Sequence, residues 1–270
     1  MEVVSFFPGF TSYVITKRQK LILMSFFLTV VLVATQTVSE NLRFYSIGFL
    51  AVSTLLLAIF SLWGELSGAK YFLLLLLPVY FVTGASLFYF LLPVRWLTRL
   101  PFAFLFGISV YLLMLTANIY NVAAIRTIAL HRAARAVGML FTLVAVFFLI
   151  NVLLSLHYQF YLNALGVALI VGPLYTVQLW SAELEDYVSR KVALYTGIYT
   201  LVTAQMAMVF SFWPLEPING ALILVTVMYV LLGVGQFAIT EGLKRKIIFE
   251  YIGVASIVAL IVLVTTRWGG

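Results

Sequence analysis

The chain has 270 residues, of which 64% are hydrophobic and only 9% charged, with a net charge of +7 and a mean hydropathy of +1.14. Soluble domains carry about 25% charged residues, so a chain this apolar has too little polar surface to face water and reads as a membrane protein. It has no cysteine, which removes disulfides, thiolate nucleophiles, thiolate metal sites and palmitoylation together.

In chain order, residues 1–20 read as an N-terminal interfacial segment and residues 21–270 as a single transmembrane helical domain. Met1–Thr16 carries Glu2 and no basic residue, unlike a cleavable signal, and Phe6, Phe7, Pro8, Phe10 and Tyr13 suit a segment lying along the membrane surface. Nine apolar stretches follow: Leu21–Ser39, Phe44–Trp63, Tyr71–Leu92, Pro101–Ala123, Val137–Leu156, Tyr161–Trp180, Val192–Trp213, Ala221–Thr240 and Ile247–Thr266. Each is close to the ~20 residues that carry a helix across a bilayer core. The alternation that marks a membrane barrel is missing, and helices satisfy their own peptide groups where lipid cannot. The expected fold is all-α, a polytopic transmembrane bundle of about nine spans.

Two spans contain proline near their middle: Pro78 in the third, and Gly172-Pro173 in the sixth. Proline frees a carbonyl one turn earlier and breaks or kinks the helix. If the first six spans form inverted three-span units, these breaks are counterparts and would line a site; otherwise they are kinks alone. The fourth span runs into a basic tail, Leu115–Gly138. On one continuous helix Asn118, Asn121, Arg132 and Arg135 share about a third of the circumference, with Arg126 pointing elsewhere. Such a helix outruns the membrane, and an interfacial amphipathic stretch fits its tail best. These five residues form a candidate site for a ligand or an anionic lipid headgroup. The basic groups also suit topogenic charge, or pairing with Glu183, Glu185 and Asp186.

Uncharged polar residues occur at depth: Gln36, Asn118, Asn121, Asn151, Asn163, Gln178, Gln205 and Gln236. They suit hydrogen bonds between helices, or the lining of a polar path. The span centres lack Asp, Glu, Lys, Arg and His. Glu250, one turn into the last span, has Lys246 on the same face. That composition argues against proton relays and voltage sensing, which need ionisable groups at depth. His131 and His157, the two histidines, fall on opposite sides. No phosphate-binding glycine loop, H-E-x-x-H or G-x-S-x-G occurs, so no catalytic residue, metal ligand or cofactor-binding residue is assigned, and no cofactor is expected.

Charge sets the orientation. With the N-terminus in the cytoplasm, the inner segments hold Lys17, Arg18, Lys20, Lys70, Arg126, Arg132, Arg135, Arg190, Lys191, Lys244, Arg245 and Lys246, which is 12 of the 16 basic residues; Arg43, Arg95, Arg99 and Arg267 fall outside. Basic loops resist translocation, which selects a cytoplasmic N-terminus and, with nine spans, a C-terminus outside. Trp63, Trp96, Trp180, Trp213 and Trp268 all sit at span ends, where indole prefers the headgroup level. The basic balance points to anionic lipid at the cytoplasmic face rather than to nucleic acid.

The stretches ANIYNVAAIRTIALHRAARAVG (117–138), FSFWP (210–214), EYIGV (250–254) and TTRWGG (265–270) resemble a family of uncharacterised multi-pass inner-membrane proteins of small-genome candidate-phylum bacteria. The resemblance implies a bacterial cytoplasmic-membrane location and brings no activity.

The expected function is non-enzymatic binding or passive transport of a lipid or small amphiphilic solute. The alternative is a scaffold or subunit that binds another membrane protein, and a lipid-modifying enzyme comes third. A cavity lined by Pro78, Gly172 and Pro173 and reached from one face favours the first reading; a closed bundle with an apolar groove on its side favours the second. Topology reporters fused to the two termini are expected to report opposite sides, the N-terminal one cytoplasmic. Two signals from the same side exclude nine spans.

Overall fold

A peptide group in hydrocarbon has no water to bond, so each apolar run closes its own hydrogen bonds as a helix. The computed structural model describes residues 16–39, 42–62, 69–123, 131–185, 187–240 and 245–266. Among them are nine helices: α1 (Lys17–Ala34, running on into a 3-10 turn at Thr35–Thr37), α2 (Arg43–Ser61), α3 (Ala69–Leu91), α4 (Trp96–Ala123), α5 (His131–Ser155), α6 (Phe160–Glu183), α7 (Arg190–Phe210), α8 (Pro217–Thr240) and α9 (Arg245–Thr265). All nine are long and apolar enough to cross a membrane. Residues 1–15, and with them most of the expected interfacial segment, lie outside the described residues. So do Trp63, Arg126, Asp186, Lys244, Arg267 and Trp268.

The helices begin and end where polar groups can close them. Thr16 caps α1 in a reciprocal pair: its hydroxyl accepts from the Gln19 N–H at 3.4 Å, and the Gln19 carboxamide oxygen accepts from the Thr16 N–H at 2.8 Å. Ser189 caps α7 through the Val192 N–H at 3.2 Å. α6 stops at Leu184, which turns left-handed (φ 54°), and the Trp180 indole N–H donates to the Glu185 carbonyl across that turn at 2.8 Å. α4 starts at Trp96 and α5 at His131, about one turn earlier than the apolar runs suggested. Hydropathy marks where lipid begins, whereas hydrogen bonding decides where the helix begins.

α5 is the central helix, packed against α3, α4, α6 and α8. α1 and α2 cover α4 and α3, α7 covers α6 and α8, and α9 packs chiefly on α8. Between α3, α4 and α5 lies a run of stacked and tilted rings: Phe81, Phe88, Phe102, Phe106, Phe141 and Phe148, with centroids 4.6 to 6.4 Å apart. Lipid tails are as apolar as these side chains, so close packing rather than escape from water holds such helices together. Glycine supplies the closest approaches. A Cβ on Gly138 of α5 would meet the Tyr120 hydroxyl of α4, and one on Gly233 of α8 would meet the Tyr251 ring of α9.

Odd-numbered helices begin at one end of the bundle and even-numbered ones at the other. Lys17, Arg18 and Lys20, Arg132 and Arg135, Arg190 and Lys191, and Arg245 and Lys246 all stand in the first turns of odd-numbered helices. This is called the basic end; Arg43, Arg95 and Arg99 stand at the far end. His131 and His157 flank α5 at opposite ends, as expected. Trp96 and Trp213 are exposed at helix ends, but Trp180 is a correction to the aromatic-belt reading. It is 1% exposed inside the bundle because its N–H closes the end of α6 rather than meeting headgroups.

The Tyr251 and Tyr229 rings meet at a tilt, 4.8 Å between centres, beside Gly233, and the apolar length of α9 is otherwise mostly uncovered by protein. Gly233→Val is therefore expected to lower stability by about 1–3 kcal/mol, the usual cost of overpacking, read as a fall in melting temperature in detergent. Gly253→Ala, which meets nothing within 4 Å, serves as the neutral control.

Candidate functional site

The basic end of α4 carries the residues singled out in the sequence. Asn118 and Asn121 lie on the last turns of α4, Arg132 and Arg135 on the first turns of α5, and residue 126 falls outside the described residues. The tail read onto the fourth span is divided: residues 124–130, where the interfacial stretch was expected, lie outside the described residues, and Arg132 and Arg135 belong to the start of α5, where the Tyr120 hydroxyl of α4 donates to the Ala134 carbonyl at 3.1 Å. Asn121 is 2% exposed, Asn118 and Arg135 are half-buried, and Arg132 is exposed. Arg135 lies within electrostatic reach of the Tyr120 and Tyr251 hydroxyls. Arg132 faces outward, where an anionic headgroup can reach it.

Beside them, buried polar groups tie three helices together. The Gln178 carboxamide of α6, fully buried, donates to the Thr142 hydroxyl of α5 at 2.7 Å. The Gln178 carbonyl accepts from the Gln236 carboxamide of α8 at 3.2 Å and from the Ser181 hydroxyl at 2.8 Å. His131 Nε2 lies 2.8 Å from the Ser181 carbonyl, which can only accept, so Nε2 carries the proton. Gln36 bonds the Tyr89 hydroxyl at the far end. Of the polar residues expected at depth, Gln36, Asn163, Gln178 and Gln236 thus bond other helices. Gln205 is exposed on α7.

The prolines do not interrupt their helices: α3 runs through Pro78 and α6 through Pro173. The carbonyl that Pro173 leaves without its helical donor is that of Leu169. It accepts from the Tyr80 hydroxyl of α3 at 3.3 Å, which links the two proline-bearing helices. Pro78 lines a crevice of about 10 Å³ with Leu113, Thr116, Tyr120 and Val177, room for roughly one water. A Cβ on Gly172 would face Thr200 of α7 instead. Val167, Val171 and Leu174 on the same stretch of α6 are fully buried.

Larger openings lie at the periphery, among them an apolar one of about 310 Å³ between α8 and α9, lined by Val227, Leu231, Ala255 and Val258. An apolar groove of about 550 Å³ opens sideways at the far end, lined by Phe44 and Ile47 of α2, Leu87 and Phe90 of α3, and Leu149 and Leu153 of α5, with Arg43 at its rim. The Arg43 guanidinium stands 5.7 Å from the centre of the Phe90 ring. A second groove of about 470 Å³ between α1 and α2 at the basic end has Lys20 at its rim, 4.9 Å from the Phe60 ring centre. A further opening, about 240 Å³ and partly polar, lies at the far end between the α5–α6 and α7–α8 connections. Arg99, which the sequence offered only as topogenic charge, is 7% exposed, 5.2 Å from the Tyr89 ring centre, with Nη2 3.4 Å from the Leu92 carbonyl. Arg43 carried the same reading. The sequence held one signal for both: each opens a span on the side otherwise poor in basic residues.

A family model for a protein of unknown function (DUF5656) matches residues 64–265, and the chain belongs to that family. No curated protein and no solved structure matches it.

Tyr80→Phe removes the donor to the Leu169 carbonyl and leaves that group to lipid. Stability is expected to fall by about 0.6–1.7 kcal/mol, the measured range for interhelical hydrogen bonds in membranes. The readout is melting in detergent, with Tyr45→Phe, exposed on α2, as control.

Proposed function

We propose that this DUF5656 protein is an integral membrane protein that binds a phospholipid laterally, with one acyl chain in the groove between α2, α3 and α5 and the phosphate at Arg43. The carrying observation is the combination of about 550 Å³ of apolar space with a single charged residue at its rim, at the level where α2 begins. An amphiphile matches both halves of that lining. The volume is in the range of small-ligand sites, and arginine offers a fixed fork of donors suited to phosphate. Lys20 at the rim of the second groove repeats the arrangement at the basic end.

The reading is for binding rather than passage, supported by the full burial of Val167, Val171 and Leu174 in the middle of α6. The charge asymmetry supports a cytoplasmic basic end in a bacterial cytoplasmic membrane, where each lysine or arginine near an anionic leaflet contributes about 1 kcal/mol of attraction. Asn118, Asn121, Arg132 and Arg135 belong to that face. Gln205 favours a second reading, a partner membrane helix: its carboxamide is exposed on α7 five residues from the helix end, and a neighbouring helix satisfies such a group better than lipid does.

Nanodiscs made of equal parts phosphatidylglycerol and diacylglycerol, followed by native mass spectrometry, test the lipid reading. Wild type is expected to retain the phosphate lipid. Arg43→Gln is expected to weaken retention about fivefold, the equivalent of ~1 kcal/mol. Equal retention by the two proteins, or none by wild type, overturns the assignment.

A further inference from the structure

At the far end, α5 stops at Ser155 and the chain turns sharply at His157, whose φ is 51°. Opposite it, the short connection from α7 to α8 brings in Glu216, whose carbonyl accepts from the Asn219 and Gly220 N–H groups as α8 begins. Between them is the cavity of about 240 Å³, with Asn163 of α6 and Ser211 at the end of α7 in its wall. Nothing in this cavity belongs to the lipid groove, which is lined by other residues.

The wall has a definite hydrogen-bonding polarity. Asn163 is 5% exposed; its Nδ2 donates to the Tyr158 carbonyl at 3.1 Å and to the Ser211 hydroxyl at 3.2 Å. A carbonyl can only accept, which fixes the orientation of that carboxamide. The Asn163 Oδ1 is then left buried behind the wall with no hydrogen-bond partner, a cost that the packing carries. Ser211 has spent its own proton on the Ala207 carbonyl at 2.8 Å. His157 Nδ1 lies 2.9 Å from the Ser155 carbonyl, so Nδ1 is the donor and Nε2 of the neutral ring is an acceptor. Glu216 adds a carboxylate, and Phe210 and Trp213 add aromatic side chains set edge to face, 5.5 Å between ring centres. The cavity is thus rich in acceptors and negative charge, bounded by aromatic surface.

We propose that this cavity is a binding site for an organic ammonium group. Such a group brings N–H or polarised C–H donors to His157 Nε2, a positive charge to Glu216, and a cation to the aromatic wall of Phe210 and Trp213. The volume exceeds what a bare metal ion fills, and aromatic walls do nothing for one. An inorganic anion meets the wrong charge. The ammonium can come from a free amine solute or from a zwitterionic lipid headgroup, since the cavity opens at the end of the bundle.

The test uses the full-length protein in phosphatidylglycerol nanodiscs, which carry no ammonium, titrated by calorimetry with choline, ethanolamine, acetate or manganese(II). Choline or ethanolamine is expected to bind, with a dissociation constant on the order of 1 mM for so few atoms. Glu216→Gln, an exposed position whose change spares the backbone contact, is expected to weaken that binding about tenfold. In phosphatidylethanolamine nanodiscs, suppression of choline binding identifies the headgroup as the source, and undiminished binding identifies a free solute; either supports an ammonium site. Binding of manganese alone, binding of acetate alone, no binding of either amine, or amine binding that Glu216→Gln leaves unchanged overturns it.

Discussion

Lipid offers no hydrogen bond, and the rest of this structure follows from that constraint. It turns each apolar run into a helix, because only a helix closes its peptide groups within one segment. It acts on side chains as well. Thr54, Thr83, Ser86, Thr116 and Thr226 each donate to the carbonyl four residues back, returning the hydroxyl to its own helix. The same pressure draws the Tyr80 hydroxyl to the carbonyl that Pro173 leaves behind, so a local defect in α6 becomes a tie to α3.

Where the groups cannot return to their own helix, they choose helix neighbours. Gln178, Thr142 and Gln236 join α6, α5 and α8, and Tyr175 meets Thr203 across α6 and α7 at 2.8 Å. Apolar surface cannot make such choices, because a leucine face packs as well on a lipid tail as on another leucine. The few polar residues and glycines therefore carry more of the specificity than their number suggests. Five of the buried polar atoms without a partner, on Asn163, Gln178, Glu183, Thr196 and Thr200, lie on α6 and α7. This pair carries most of the polar groups that the packing leaves unsatisfied.

The functional readings follow from the same division. Among the described residues the helix middles carry no charged side chain, so the charged groups that could do chemistry stand toward the helix ends. The opening between α8 and α9 is wholly uncharged, whereas the openings that carry charged groups are peripheral and hold them at the level of a helix end. Ionisable groups there keep contact with water or headgroups, and the cost of burying charge in hydrocarbon is avoided. Arg99 is the exception: it is buried near the start of α4 with Tyr89 and the Leu92 carbonyl as its neighbours.

The sequence by itself determined the solvent, the number and approximate limits of the helices, and the segregation of basic residues to one end. Each is written locally, in runs of about 20 residues and in the charges between them. It also marked Gln178, Gln236 and Asn163 as groups needing partners, without saying which. Tertiary structure decided the rest. It placed Arg132 and Arg135 at the start of α5 rather than on a tail of α4, buried Trp180 against protein in the last turn of α6, and kept α3 and α6 continuous through their prolines. It also brought His157, Asn163 and Glu216 to one cavity, although they come from α6 and from two separate connections. No periodicity within one segment records such a meeting. It depends on which faces of antiparallel helices pack together, and in lipid that is settled by close contact and hydrogen bonds between residues far apart in the chain.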